Sequence, residues 1–164
     1  MLTGKPLKDL AQSRKNSDGR FFKQLEKMSP HDVDALFEYA HETVFAETDC
    51  LQCANCCKTT PALLTARDIK RIAAHLRMSE TAFMQQYVVK DEDGDLVTKT
   101  SPCVFLLPDN ACKIYDIRPQ ACREYPHTDR KKQKQILDIT FKNREICPAV
   151  IDIIDVLKES IEDN

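Results

Sequence analysis

The sequence predicts a mostly α-helical fold with a small β element, in a single compact domain, on three observations. Four segments carry apolar residues at helical spacing behind recognisable N-terminal caps. Extended segments are confined to short arms around two turn signals, Asp93-Gly94 and Pro108-Asp109-Asn110. The length of 164 residues suits one domain with a real core, and 42% hydrophobic with 30% charged residues is the balance of an ordinary globular chain.

Residues 1–49 read as an N-terminal helical segment. Its clearest helix is SPHDVDALFEYAHETVFAE, with Ser29 as N-cap, Pro30 in the first turn, and Val33, Leu36, Phe37, Ala40 and Val44 on one face. A second helix is expected in TARDIKRIAAHLRM, capped by Thr65 and buried through Ile69, Ile72, Ala73 and Leu76. Ser79 caps a third, shorter one through Phe83 and Tyr87. KDEDGDLVTKT then folds back at Asp93-Gly94 between two extended arms.

CVFLLPDNACKIY reads as two short strands opened by Cys103 and Cys112. IRPQACREYP allows a helical turn or two behind Pro119. Residues 129–146 are charge-rich and carry no clear periodicity. From Cys147 a last helix is expected, with Pro148 at its first position and Val150, Ile153, Ile154, Leu157 and Ile161 as its apolar stripe. Residues 127–164 thus form a C-terminal helical segment packing on a core at 50–126.

A net charge of −2 gives no general attraction to nucleic acid or to an anionic membrane. The run DRKKQK at 129–134 reads as a solvated face before it reads as a nucleic-acid or protein patch. The first 20 residues lack the apolar core of a secretory signal, and no later stretch approaches a membrane span, so a cytoplasmic address is expected. In that reducing compartment structural disulfides are disfavoured.

This matters because the chain has eight cysteines, and CLQCANCC places Cys50, Cys53, Cys56 and Cys57 within eight residues. A disulfide knot, a metal site, a catalytic dithiol and burial in a core all compete to explain them. Free cysteine is among the most buried residue types, yet burial does not account for four in one short segment. The x2 spacings let a loop turn Cys50, Cys53 and Cys56 toward one centre, with Asn55 supplying a left-handed residue. Cys56 and Cys57, being adjacent, should diverge.

Cys103, Cys112, Cys122 and Cys147 bring the total to two possible four-coordinate sites. Cys147 is expected at the N-cap of the last helix, where the helix dipole favours a thiolate. All-sulfur ligation selects zinc, iron-sulfur or copper(I) and argues against magnesium or calcium.

With CLQCANCC followed by CVFLLPDNACKIYDIRPQACREYP, the sequence resembles the CxxCxxCC cysteine-cluster family, also called YkgJ-like, over roughly residues 50–126. Many relatives carry glycine near Asn55. The resemblance implies metal-chelating cysteines at Cys50, Cys53, Cys56, Cys57, Cys103, Cys112 and Cys122, and the family name leaves zinc against iron open; Cys147 joins them on the present reading. A C-x2-C-x2-C triplet with dispersed partners, in place of two separate knuckles, leans toward a 4Fe-4S cluster ahead of zinc.

Arg118 and Arg123 bracket Cys122, where they can offset thiolate charge around the bound metal or merely fix the local turn. Tyr115 and Tyr125 are expected to pack around the site. His31 and His75 read as helix-surface residues; His41 or His127 can supply a fourth ligand if one cysteine is spare.

A structural or metal-handling metalloprotein with a protein partner yet to be defined leads. An iron-sulfur redox or accessory enzyme and a thiol-based redox sensor follow. No nucleophile, acid-base pair or glycine-rich cofactor loop appears, so the sequence leaves open whether the protein is an enzyme.

Overall fold

A computed structural model describes residues 2–162. The elements run α1 (Gly4–Ser13), α2 (Lys15–Leu25), α3 (Pro30–Phe45), α4 (Cys50–Cys53), α5 (Asn55–Thr59), α6 (Ala66–His75), α7 (Glu80–Tyr87), β1 (Val88–Lys90), β2 (Leu96–Thr98), α8 (Gln120–Glu124), α9 (Leu137–Asn143) and α10 (Pro148–Glu162), with 3-10 turns at Tyr115–Ile117 and Gln133–Ile136. The fold is mostly helical with a small two-stranded sheet, as the sequence predicts. Among the described residues no helix is long and apolar enough to cross a membrane.

The chain divides into a discontinuous unit, Met1–Cys53 with Pro126–Asn164, and an inserted unit, Ala54–Tyr125. In the discontinuous unit α3 packs on α10. The Ser29 hydroxyl accepts the Asp32 amide at 3.1 Å and starts α3, with Pro30 needing no partner in the first turn. Val33, Phe37 and Ala40 then meet Val150, Ile153, Ile154 and Leu157 in one cluster with Phe21, Phe22 and Leu25 of α2. Burying each of the larger side chains is worth about 1.5–3 kcal/mol.

The same unit buries charge. The carboxylate of Asp18 accepts from Arg144 Nη1 at 3.0 Å and Lys158 Nζ at 2.7 Å, and Asp18 and Arg144 are each only 1% exposed. Arg144 also donates to the Ala11 and Phe141 carbonyls and lies 3.7 Å above the Phe141 ring. The DRKKQK run is engaged locally: Lys131 pairs with Glu38 at 2.9 Å, Lys134 donates to the Met28 carbonyl at 2.8 Å, and Gln133 is buried.

In the inserted unit α6 and α7 close a second core of Leu64, Ile69, Ile72, Ala73, Phe83, Val88, Phe105 and Ile114, with Cys103 and Cys112 packed on its edge. β1 pairs antiparallel with β2 in the register Val88↔Thr98, Val89↔Val97, Lys90↔Leu96. The turn between them works because Asp91 Oδ1 accepts the Asp93 and Asp95 amides while Gly94, at φ +86°, takes a conformation that side chains disfavour.

One extended expectation shrinks. The two strands read from CVFLLPDNACKIY reduce to a single bridge, Leu106↔Cys112, around the Pro108–Asn110 turn. The unassigned 129–146 region is a 3-10 turn followed by α9.

Removing the Asp18 carboxylate strands a buried guanidinium, so Asp18→Ala is expected to destabilise the protein by about 3–5 kcal/mol, read as a lowered urea midpoint.

Candidate metal centre

The CxxCxxCC motif is built as two short helical pieces. Ala54, at φ +47°, interrupts the helix between α4 and α5, and Asn55 begins α5 as a buried residue. The left-handed position expected at Asn55 therefore falls one residue earlier, on a residue whose Cβ makes that conformation costly.

In the inserted unit the second half of the motif is tied directly to the downstream cysteines. The Cys103 amide donates to the Cys57 carbonyl at 2.8 Å. Leu106↔Cys112 closes the next loop, the Tyr115 amide donates to the Cys112 carbonyl at 3.1 Å, and the Cys122 amide to the Pro119 carbonyl at 3.0 Å. Four separate stretches of chain thus bring Cys57, Cys103, Cys112 and Cys122 into one another's electrostatic field.

Cys56 and Cys57, expected to diverge, instead place their sulfurs 4.0 Å apart. The Cys56 thiol hydrogen-bonded to it draws the Cys57 pKa down to about 7; burial opposes this, and the charges of Arg118 and Lys58 assist. Burial, reinforced by neighbouring thiolates, pushes Cys122 up to about 12 and raises Cys103 and Cys112.

Arg118 is held in position. Its guanidinium lies 3.6 Å above the Tyr115 ring and its Nε donates to the Tyr115 carbonyl at 2.8 Å. Its positive charge favours the thiolates of Cys57, Cys112 and Cys122. Arg123 is exposed on α8, and Tyr115 is 53% exposed beneath Arg118.

Sequence reasoning overlooked the residues that fix this loop. Asp68, 1% exposed, closes a capping box with Thr65: Oδ2 accepts the Thr65 amide and hydroxyl at 3.0 and 2.7 Å. Its Oδ1 accepts Arg71 Nη2 at 2.7 Å and the Gln120 amide at 3.1 Å, at the head of the helix that carries Cys122. Arg71 Nη2 donates onward to the Arg118 carbonyl at 2.8 Å. The T-x-x-D pattern at Thr65–Asp68 was the available signal; nothing in it announced Gln120.

The discontinuous unit holds Cys50, Cys53 and Cys147. Cys50 is exposed, Cys53 is buried, and both act electrostatically on Cys147. The Cys147 amide donates to the Asn143 carbonyl at 2.8 Å, immediately before α10. The Ala149 and Val150 amides favour its thiolate as a helix N-terminus should, but burial outweighs them and pushes Cys147 up to about 12, against the lowering expected from the dipole.

His31 and His75 are exposed. His41 stacks on Phe45 with centroids 4.4 Å apart, and its Nδ1 lies 2.8 Å from the Thr128 hydroxyl. His127 adopts φ +68°. Among the described residues no group of three His, Cys, Asp or Glu side chains is close enough to hold a metal ion as it stands. The ligated centre read from the sequence is therefore not displayed by the fold. The donor set nonetheless suits a soft or borderline metal, being all sulfur with one compensating guanidinium.

Residues 49–148 match the family CxxCxxCC, described as "Putative zinc- or iron-chelating domain". An uncharacterized protein of Methanocaldococcus jannaschii is 30% identical over 82 residues, which cover 48% of this chain. The chain spans 44% of the length of that relative. No solved structure matches.

Two outcomes test the local geometry. Ala54→Gly relieves a left-handed alanine and is expected to stabilise the protein by about 1 kcal/mol, less than the full relief because glycine also loosens the unfolded chain. Burial alone would raise the Asp68 pKa, but hydrogen bonds from Thr65, Gln120 and Arg71 bring it below its ordinary value. Its stabilisation is therefore present above about pH 4 and disappears as pH falls through the folded value. The gap in urea midpoint between the native chain and Asp68→Asn should narrow across that range in a pH series.

Proposed function

The chain belongs to the CxxCxxCC family, and from that premise we propose that it chelates iron, as an iron-sulfur cluster, or zinc through cysteine thiolates, in a structural or metal-handling role. The observation that carries this reading is the convergence of Cys57, Cys103, Cys112 and Cys122 from four stretches of chain into one electrostatic neighbourhood. Isolated buried thiols need no such gathering.

In this reading the four thiolates hold the metal, with Cys56 beside them. When bound, the metal supplies cross-linking energy that appears as folding energy, because the ligands are not assembled in the unfolded chain. Arg118 offsets the negative charge that four thiolates leave around a divalent ion or a cluster. Asp68 and Arg71 hold the Arg118–Gln120 backbone, and so the start of α8, in place without touching the metal. A centre saturated by protein sulfur keeps no position for substrate, which favours a structural or metal-handling role over catalysis.

Protein purified without oxygen is expected to contain iron or zinc at a fixed ratio to the chain. Broad visible absorption with acid-labile sulfide identifies the cluster, and a colourless zinc protein identifies the ion. Removing the metal with a chelator should lower the thermal midpoint measured by circular dichroism. A metal-free preparation, or an unchanged midpoint after chelation, overturns the chelating or the structural reading respectively.

A further inference from the structure

We propose that Cys56 and Cys57 are a site of reversible oxidative modification, at which a hydroperoxide closes the two adjacent thiols into a disulfide and undoes the end of α5. The site lies wholly within the inserted unit. Its consequence for a metal rests on the chelating reading above; the closure rests on the placement of the two sulfurs alone.

Successive side chains ordinarily leave the backbone in different directions, yet these two sulfurs stand 4.0 Å apart. Both thiols are reduced and half-buried, within reach of a molecule as small as a peroxide. One sulfur breaks the peroxide O–O bond and becomes a sulfenic acid, releasing the other peroxide oxygen as an alcohol or water. The second sulfur then displaces the sulfenic oxygen as water and forms the S–S bond. The pair loses two electrons and two protons, and the peroxide gains them.

Closure changes the backbone. Ordinary disulfides join Cα atoms about 4.4–6.8 Å apart, whereas adjacent Cα atoms are about 3.8 Å apart. The peptide drawn into the ring must therefore leave its helical setting. Its carbonyl, that of Cys56, accepts the Thr60 amide at 2.9 Å, the bond that closes the end of α5. Oxidation breaks that bond, and a ring held away from ordinary disulfide geometry is readily reduced. In the chelating reading, closure also withdraws Cys57 from the metal.

The test treats the full-length protein, purified anaerobically, with hydrogen peroxide, both as purified and after chelator treatment, and then blocks the remaining thiols with iodoacetamide. The tryptic peptide 28–58 holds all four motif cysteines and is fragmented in a mass spectrometer. The expected product is blocked at Cys50 and Cys53, unblocked at Cys56 and Cys57, about 2 Da lighter than the dithiol form of the same peptide, and open to blocking at all four after dithiothreitol. In Cys56→Ser, Cys57 should take the block in full, and in the oxidised native chain the Thr60 amide should exchange its hydrogen faster. Closure only after chelation supports the proposal and the chelating reading together, because bound thiolates are shielded. The proposal is overturned if Cys56 and Cys57 stay blockable in both samples, if either is joined to a different cysteine, or if Thr60 exchange is unchanged by closure. Closure in a protein that holds no zinc or iron as purified would overturn chelation and leave this site standing.

Discussion

One buried carboxylate organises the inserted unit. Asp68 accepts four hydrogen bonds, from the Thr65 amide and hydroxyl, from Arg71 and from the Gln120 amide. A carboxylate taken out of water is costly unless its lone pairs are filled, and here they are. The consequence reaches beyond the start of α6. The same group that caps one helix fixes the first residue of another, 52 positions later, and Arg71 extends the grip to the Arg118 carbonyl. Arg118 and Cys122 sit on either side of that anchored segment. The direction of a guanidinium and a thiol is therefore decided by a residue that touches neither.

The sulfur chemistry is shaped by the competition between burial and nearby charge. Burial raises Cys103, Cys112, Cys122 and Cys147, while Cys57, hydrogen-bonded by Cys56 and facing Arg118 and Lys58, goes the other way. The thiols are thus unequal before any metal arrives, and the one whose pKa falls is itself a member of the motif's adjacent pair. Family membership supports zinc or iron as the ion concerned.

Much of the helical framework was legible because its caps are local chemistry. Ser29 with Pro30, Thr65, Ser79 and Pro148 each mark a start that the fold uses, and Asp93-Gly94 marks the hairpin. What escaped notice depended on distant partners or on strain. An alanine at φ +47° leaves no trace in composition. The stretch before Cys147 hides α9 because its buried residues include the polar Thr140, Asn143 and Arg144, and Arg144 finds its partners far along the chain at Ala11 and Asp18. The separation of Cys56 from Cys57 was misjudged because successive side chains diverge in direction, yet their Cα atoms are only about 3.8 Å apart and the sulfurs can swing back. At the site, the motif announced the donors but not how they are grouped.

The insertion of residues 54–125 between the two parts of the other unit has a bearing on synthesis. As the chain leaves the ribosome, α3 emerges with only the α2 side of its cluster, Phe21, Phe22 and Leu25, in place, and the cover that Val33, Phe37 and Ala40 find on α10 comes only after the entire inserted unit. The inserted unit is continuous and can close on its own residues as they appear. The nascent chain therefore completes its inserted unit first, and must keep the open face of α3 shielded or soluble until α10 is made.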